Sequence, residues 1–440
     1  MYKKLFLLLL TLLISQKNLT CSLYSYQDSG FELLDQIFGD SQHEEIDIEN
    51  KQYHGIYENW FVNNFDKQIA LNDNIHPAIL NKILKFYLNK YIDNSYKETL
   101  GDLGKTVFSK DIISATDSKK PINFFEYKSI FECNNNIGSL DLNRCNKNSK
   151  FHCIGDIHSR YTQTLQEIIA WLIFKEILGH NLKLKDDCFL IFQGDYTDRG
   201  KQGLSVIAAI ILLHLFNPGR VFIIKGNHET LEFLYNQQKD PESVMVEALK
   251  LTNYDEDNAN LILNHLEIIY LTLPDYITVK NPKAKNKNLL ICHGDEKSAW
   301  NDVYPEKYFD LLDDNDRASI PSPRGCDFII RNAKFVIDEL SKSGYSAIAK
   351  SHYHTVSKDP DRKICKWGII KETENETIKY STPSIGAINI GIPKKFPVIV
   401  NIAGPIGPMI KYFPTIVEFT PRQASKSGWK INAINCATRN

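Results

Sequence analysis

The sequence predicts an α/β fold in which short buried strands end in polar loops and helices flank the sheet. Phe151 to Ile154, Cys188 to Phe192 and Val221 to Ile224 are apolar runs of strand length, rich in β-branched or aromatic residues. Each opens into a polar loop: Gly155-Asp156-Ile157-His158, then Gly194-Asp195-Tyr196-Thr197-Asp198-Arg199-Gly200, then Gly226-Asn227-His228-Glu229. After the first two loops apolar residues recur at helical spacing, Leu165, Ile168, Ile169 and Leu172, then Leu204, Ile207, Ala208, Ile211 and Leu215. In such folds the ligand crevice lies beyond the carboxyl ends of the strands, so the three loops are expected to converge.

The rest of the chain is read in order. Lys3 and Lys4, the apolar run Leu5 to Ile14 and the polar stretch to Thr20-Cys21-Ser22 read as a signal peptide over residues 1–22, implying export or secretion. The run is too short to span a bilayer, and no transmembrane span is expected after cleavage; a retained anchor or a buried first helix is the alternative. Residues 23–149 are expected to be mostly helical: a solvated acidic stretch around Glu44, Glu45, Asp47 and Glu49, then a helix within Ile75 to Leu100 with Ile79, Ile83, Phe86 and Tyr87 on one side. The polar loop Cys133 to Lys150 marks the entrance to a domain over residues 150–420, followed by a tail over 421–440. Cys133 and Cys145 could pair in an oxidising compartment, whereas Cys153, Cys188 and Cys292 fall within strands as small core residues.

Leu231 to Leu273 is mostly helical in pattern. Pro282 to Asn288 is a basic loop before the strand Leu289 to Cys292, which ends in His293-Gly294. Phe328 to Leu340 reads as a helix, and Ser346 to Ala349 as a strand leading into His352-Tyr353-His354. From Cys365 onward Gly368 to Ile370, Ala387 to Ile390 and Val398 to Ile402 suggest β-structure. A hydrophobic content of 43% with 24% charged residues excludes wholesale disorder, and the formal net charge of -1 gives no electrostatic reason to expect a nucleic acid or an anionic membrane as partner.

Collected, the strand-end residues are Asp156, His158, Asp195, Asn227, His293 and His352 or His354. Singly each has a bland explanation, since Asp caps helices and a lone His is usually a surface or core residue. Together they form a set of carboxylates, imidazoles and one amide carbonyl that suits two borderline or hard divalent ions.

The loops resemble those of the calcineurin-like metallophosphoesterases, and the Asp195-Tyr196-Thr197-Asp198-Arg199-Gly200 and Gly226-Asn227-His228-Glu229 forms are similar to the phosphoprotein phosphatase branch. The resemblance spans roughly Lys150 to Gly407 and implies a β-sandwich flanked by helices, here with an added N-terminal helical segment. It implies that Asp156 and His158 hold a first metal, that Asp195 bridges, and that Asn227, His293 and His352 hold a second, with His354 able to approach the first. The ions, whether manganese, iron or zinc, would turn a bridging water into a hydroxide that attacks phosphorus directly. By the same resemblance His228 and Asp198 form a proton-donating dyad, and Arg199, Arg324 and Asn227 bind the phosphate. Arg324 lies 28 residues before His352 (352 minus 324), near the family's spacing.

Three departures stand out. Ser159 replaces the usual Gly after the first His, His293-Gly294-Asp295 replaces His-Gly-Gly, and Val400 to Pro405 lacks the usual Tyr. The expected function is therefore an exported metal-dependent phosphatase acting on phosphoserine, phosphothreonine or also phosphotyrosine in proteins. Hydrolysis of small phosphate esters or dinucleoside polyphosphates is one alternative, and a non-catalytic binding protein keeping the fold is another. Residues 23–149 could cap the cleft or bind a protein partner.

Overall fold

The computed structural model describes residues 74–92, 145–179, 181–230, 234, 240–274, 276–294, 341–352, 364–365, 369–370, 387–389, 398–402, 414–423 and 425–436. The expected signal peptide, the Cys133 pairing, the Phe328 to Leu340 helix, Asp295, Arg324 and His354 lie outside these residues. No helix among the described residues is long and apolar enough to cross a membrane.

Among the described residues, two five-stranded mixed sheets carry the fold. In the first, β1 (Lys150–Ile154), β2 (Cys188–Phe192) and β3 (Val221–Ile223) are parallel, so their carboxyl ends share one edge. Helices α2 (Gln166–Phe174) and α3 (Gly203–Phe216) form the crossovers that parallel strands require. Two further strands, β11 (Thr415–Pro421) and β12 (Trp429–Asn435), extend this sheet antiparallel from β1. The second sheet runs β4 (Tyr276–Val279), β5 (Asn288–Cys292), β6 (Tyr345–Lys350), β10 (Val398–Ile402), β9 (Ala387–Asn389), with β5, β6 and β10 parallel. A small hairpin pairs β7 (Ile364–Cys365) with β8 (Ile369–Ile370).

Two sequence expectations are corrected. Trp429–Asn435 is not part of a tail but the edge strand of the first sheet: its alternation matches β11 residue for residue, and Trp429 is 2% exposed. The expected helix before Lys150 is present, but its buried face differs from the expected one. Helix α1 (Pro77–Ile92) packs on α3 and on α5 (Glu256–Thr272), and the reason lies in α3, which is buried on every side and so needs a second cover opposite the sheet. The buried face of α1 is Leu80, Ile83, Leu84, Tyr87 and Leu88, so Ile79 and Phe86 flank it rather than define it. Burying that face contributes on the order of 10 kcal/mol before chain entropy is counted.

Polar contacts complete the dock. Asn74 donates through Nδ2 to the Lys201 carbonyl (3.0 Å) and to Glu247 Oε1 (2.6 Å), and its Oδ1 accepts from Ser205 Oγ (2.6 Å). Glu247, on the short helix α4 (Val244–Leu251), in turn accepts from the backbone N–H groups of Gly203 and Leu204, both at 2.9 Å, and so satisfies the first turn of α3.

Candidate metal centre

The loops after β1, β2 and β3 converge as their sequence requires. Backbone bonds lock the first two together: Ile157 N–H and His158 N–H donate to the Asp195 carbonyl at 3.0 and 2.9 Å, and Ser159 N–H to the Tyr196 carbonyl at 2.9 Å. The third loop is drawn in by Glu229, which is fully buried. Its Oε2 accepts from Asp195 N–H (2.7 Å) and Gly226 N–H (3.0 Å), and its Oε1 from Tyr196 N–H (3.0 Å). Gly194 must be glycine here, because it has φ +93° and a Cβ would stand 2.5 Å from Gly226 Cα and 3.0 Å from His293 Nδ1. His158, Ser159, Asp195, Asp198, Arg199 and His352 all have φ between 48 and 69°. For side-chain-bearing residues that conformation costs about 1 kcal/mol or more each, a concentration of strain typical of functional sites.

The second sheet supplies two histidines from the ends of β5 and β6. His293 Nδ1 faces the Gln193 carbonyl at 2.7 Å, which assigns the proton to Nδ1 and leaves a lone pair on Nε2. That Nε2 lies 3.0 Å from Asn227 Oδ1, 3.2 Å from Asp195 Oδ1 and 3.1 Å from His352 Nδ1. On the other side His158 Nδ1 faces the Thr197 carbonyl (3.3 Å), so its Nε2 lone pair points at Asp156 Oδ2 (3.6 Å) and Asp195 Oδ2 (3.5 Å). Oxygen and nitrogen lone pairs thus converge in two places, an arrangement that bound cations would relieve. The donor set fits divalent ions: two possible ligand groups, His158–Asp195–His228 and Asp195–His293–His352, share Asp195.

Six of the expected residues lie together. Asp156, His158 and Asp195 surround one position, and Asp195, Asn227, His293 and His352 the other. Asp156 also reaches across, its Oδ1 accepting from the His352 N–H at 3.0 Å. One detail differs from expectation: His228 Nε2, 3.9 Å from Asp195 Oδ2, lies close enough to join the first group. Its Nδ1, however, is held at 2.7 Å from Asp198 Oδ2, while Asp198 Oδ1 accepts the N–H of Val244 at 2.8 Å. Arg199 Nη1 lies 3.2 Å from His158 Nε2, so the guanidinium reaches the cluster.

Electrostatics follow the geometry. Burial drives the His158 imidazole down to about 4, and burial with the neighbouring His293 drives His352 to about 3, so both are neutral ligands at physiological pH. Burial alone would raise the Asp195 carboxyl, but the positive charge that His293 and His228 carry when protonated holds it well below the usual range. Burial disfavours a charged His228, yet Asp195 and the Asp198 hydrogen bond outweigh it and raise its pKa.

Two positioning side chains escaped the sequence reading. Gln193, at the end of β2, donates through Nε2 to the carbonyls of Cys292 (3.1 Å) and Ala349 (2.9 Å), the residues that lead into His293 and His352. It stitches one sheet to the other directly behind the centre. Tyr196 does the same within the first sheet, its hydroxyl lying 2.8 Å from the Phe192 carbonyl and 2.6 Å from that of Ile224.

Residues 149–356 match the family profile described as calcineurin-like phosphoesterase. Similar proteins include the serine/threonine-protein phosphatase rdgC of Drosophila melanogaster, 49% identical over 106 residues, which are 24% of this chain and 14% of that protein. The PP2A-like serine/threonine-protein phosphatase PPG1 of Candida albicans is 37% identical over 82 residues, 19% of this chain and 17% of that one. The matched stretches thus span under a quarter of either relative. Among solved structures, a protein serine/threonine phosphatase from Saccharomyces cerevisiae with similarity to human phosphatase PP5 aligns with TM-score 0.40 and 15% identity, over 76% of this chain and 98% of that one. Residues 149–356 thus match the calcineurin-like phosphoesterase family, and the shorter stretches shared with rdgC and PPG1 are similar to its phosphoprotein phosphatase branch.

Proposed function

We propose that the chain is a metal-dependent phosphoprotein phosphatase that hydrolyses phosphomonoesters without a covalent enzyme intermediate. The observation that carries this reading is the His228–Asp198 pair, 2.7 Å apart, set beside two donor clusters that share Asp195. Asp156, His158, Asp195, Asn227, His293 and His352 would hold two divalent cations, which neutralise phosphoryl oxygens and make water acidic enough to attack at neutral pH. His228, kept oriented by Asp198, presents Nε2 to the leaving oxygen and delivers the proton, a contribution of about 10² to 10⁴ in rate. Arg199, and Arg324 by resemblance, offer planar forks for the phosphate oxygens. The arrangement serves phosphoserine and phosphothreonine, and extends to phosphotyrosine if the cleft admits the ring. The charge and apolar pattern of residues 1–22 supports export, so we place the reaction outside the cytosol.

The test is phosphate release by the purified mature chain, stripped of metal and reloaded with manganese, iron or zinc in turn, on phosphoserine, phosphothreonine and phosphotyrosine peptides. Metal-dependent release is expected. Two ions bound per chain without turnover of any peptide would overturn the reading, and turnover confined to a parallel nucleotide panel would move it to small phosphate esters.

A further inference from the structure

The end of the molecule opposite the metal centre carries a charge pattern that hydrolysis does not use. Strands β1, β5 and β6 run toward the centre and β11 runs back from it, so the loops before β5 and β6 and the β11–β12 hairpin all lie at the far end, about 20 Å away across one strand length. The loops 280–288, 341–345 and 421–430 hold seven lysines and one arginine and not a single acidic residue, in a chain whose formal net charge is -1.

Hydrogen bonds fasten these loops together. Lys283 Nζ donates to the Pro421 carbonyl and Lys287 Nζ to the Lys426 carbonyl, both at 2.8 Å, and Asn281 Nδ2 donates to the Gly428 carbonyl at 2.7 Å. Lys280, Lys285, Lys342, Arg422, Lys426 and Lys430 are exposed around this tied core. Three acidic residues of the neighbouring described strands and turns have partners of their own. Asp186 faces Arg220, Asp187 accepts from Asn146, and Glu418 faces His152 and Lys150.

We propose that this end is a docking surface for an anionic lipid bilayer bordering the compartment into which the chain is exported, which would leave the metal centre facing away from the membrane, toward soluble substrate. A bilayer is favoured over nucleic acid by the chemistry of the patch. Its charges are nearly all lysines, point charges suited to a delocalised field, whereas bidentate reading of phosphodiesters favours arginine. Neither aromatic side chain of these loops offers a stacking platform, since Trp429 is buried with Nε1 bonded to the Lys287 carbonyl and the Tyr345 hydroxyl lies 3.0 Å from Thr278 Oγ1. The net charge that argued against such a partner concealed this local asymmetry.

The test is co-sedimentation of the full chain with phosphatidylcholine vesicles with and without phosphatidylserine. Binding is expected only to the anionic vesicles and is expected to weaken with salt. Each lysine at such a surface is worth roughly fivefold in affinity, so the combined Lys280→Gln, Lys285→Gln, Lys426→Gln and Lys430→Gln variant should bind more than about a hundredfold more weakly. The same positions changed to Arg should retain binding, and both variants should turn over a soluble phosphopeptide like the parent chain. Equal binding to neutral vesicles, no binding, or binding to duplex DNA or heparin but not to vesicles would each overturn the proposal.

Discussion

The half of the centre around His158 lies within one sheet, and short backbone bonds between neighbouring loops hold it. The half around His293 and His352 takes its ligands from both sheets, and side chains hold it: Gln193 reaching to the Cys292 and Ala349 carbonyls, and Asp156 reaching to the His352 N–H. Backbone-built geometry tolerates side-chain replacement, whereas a site stitched by one amide depends on that amide. The second position should therefore be the more easily lost, and selective damage to it is the way to expose the difference.

Asp195→Asn should have the largest effect, because this carboxylate belongs to both halves. A loss of at least about three orders of magnitude in kcat is expected, with both ions weakened, as judged by metal analysis after dialysis. If one ion stayed fully bound, Asp195 would not bridge. His228→Asn should come next, lowering kcat by about two orders of magnitude or more while both ions stay bound, since Asp195 and Asp198 raise its pKa and a protonated Nε2 has no lone pair to give a metal. Loss of the first ion in that variant would instead make His228 a ligand.

Gln193→Leu separates the halves. Its amide cannot be reversed, because Oε1 would then face two carbonyls, and as placed Oε1 has no hydrogen-bond partner among the described residues. A leucine of similar size removes the unsatisfied Oε1, worth about 1–3 kcal/mol, but leaves the Cys292 and Ala349 carbonyls without this donor, so the two effects offset and stability should change little. The variant should still bind the second ion about 10- to 100-fold more weakly, the usual scale for groups that orient ligands, with the first ion unchanged. Manganese titration followed by the magnetic coupling of the pair reads this directly; equal weakening of both ions would erase the distinction. Tyr196→Phe is the control in the other half. It should lower stability by about 1–2 kcal/mol through the carbonyls it leaves buried, yet leave the ratio of the two affinities intact.

What was legible in the sequence follows the same division. Asp156, His158, Asp195, Asn227 and His228 could be found because each stands immediately after a β-branched or aromatic run, so that local pattern and position in the fold coincide. Gln193 could not, because a glutamine ending an apolar strand has no local signature and its partners lie 99 and 156 residues away. Strand β4 was hidden behind a long helical pattern, and β12 behind the polar hairpin before it, where only pairing with β11 distinguishes a strand from a tail. The α1 face was misjudged by one position because its partner, α3, is apolar all round and gives no clue to which side it will be approached from.

The smallest expected effect concerns the segment before Lys150, which grips the start of α3 just after the Asp195 loop. Asn74 donates to Glu247, whose carboxyl burial pushes up to about 7. Because the folded pKa exceeds the unfolded one, the folded state holds the extra proton, and stability falls as pH rises from about 4.5 through about 7. The Asn74 amide opposes that fall by favouring the ionised form. Asn74→Ala should accordingly destabilise by about 1.5–3 kcal/mol above pH 7, where Glu247 is charged, and by about 1 kcal/mol well below it, where the bond is neutral. Thermal unfolding across pH tests this, and a loss independent of pH would mean that Glu247 does not titrate in this range. Since neither half of the centre hangs on Asn74 directly, both ions should bind as before; a selective change in either would show that the N-terminal segment helps shape the site as well as cover α3.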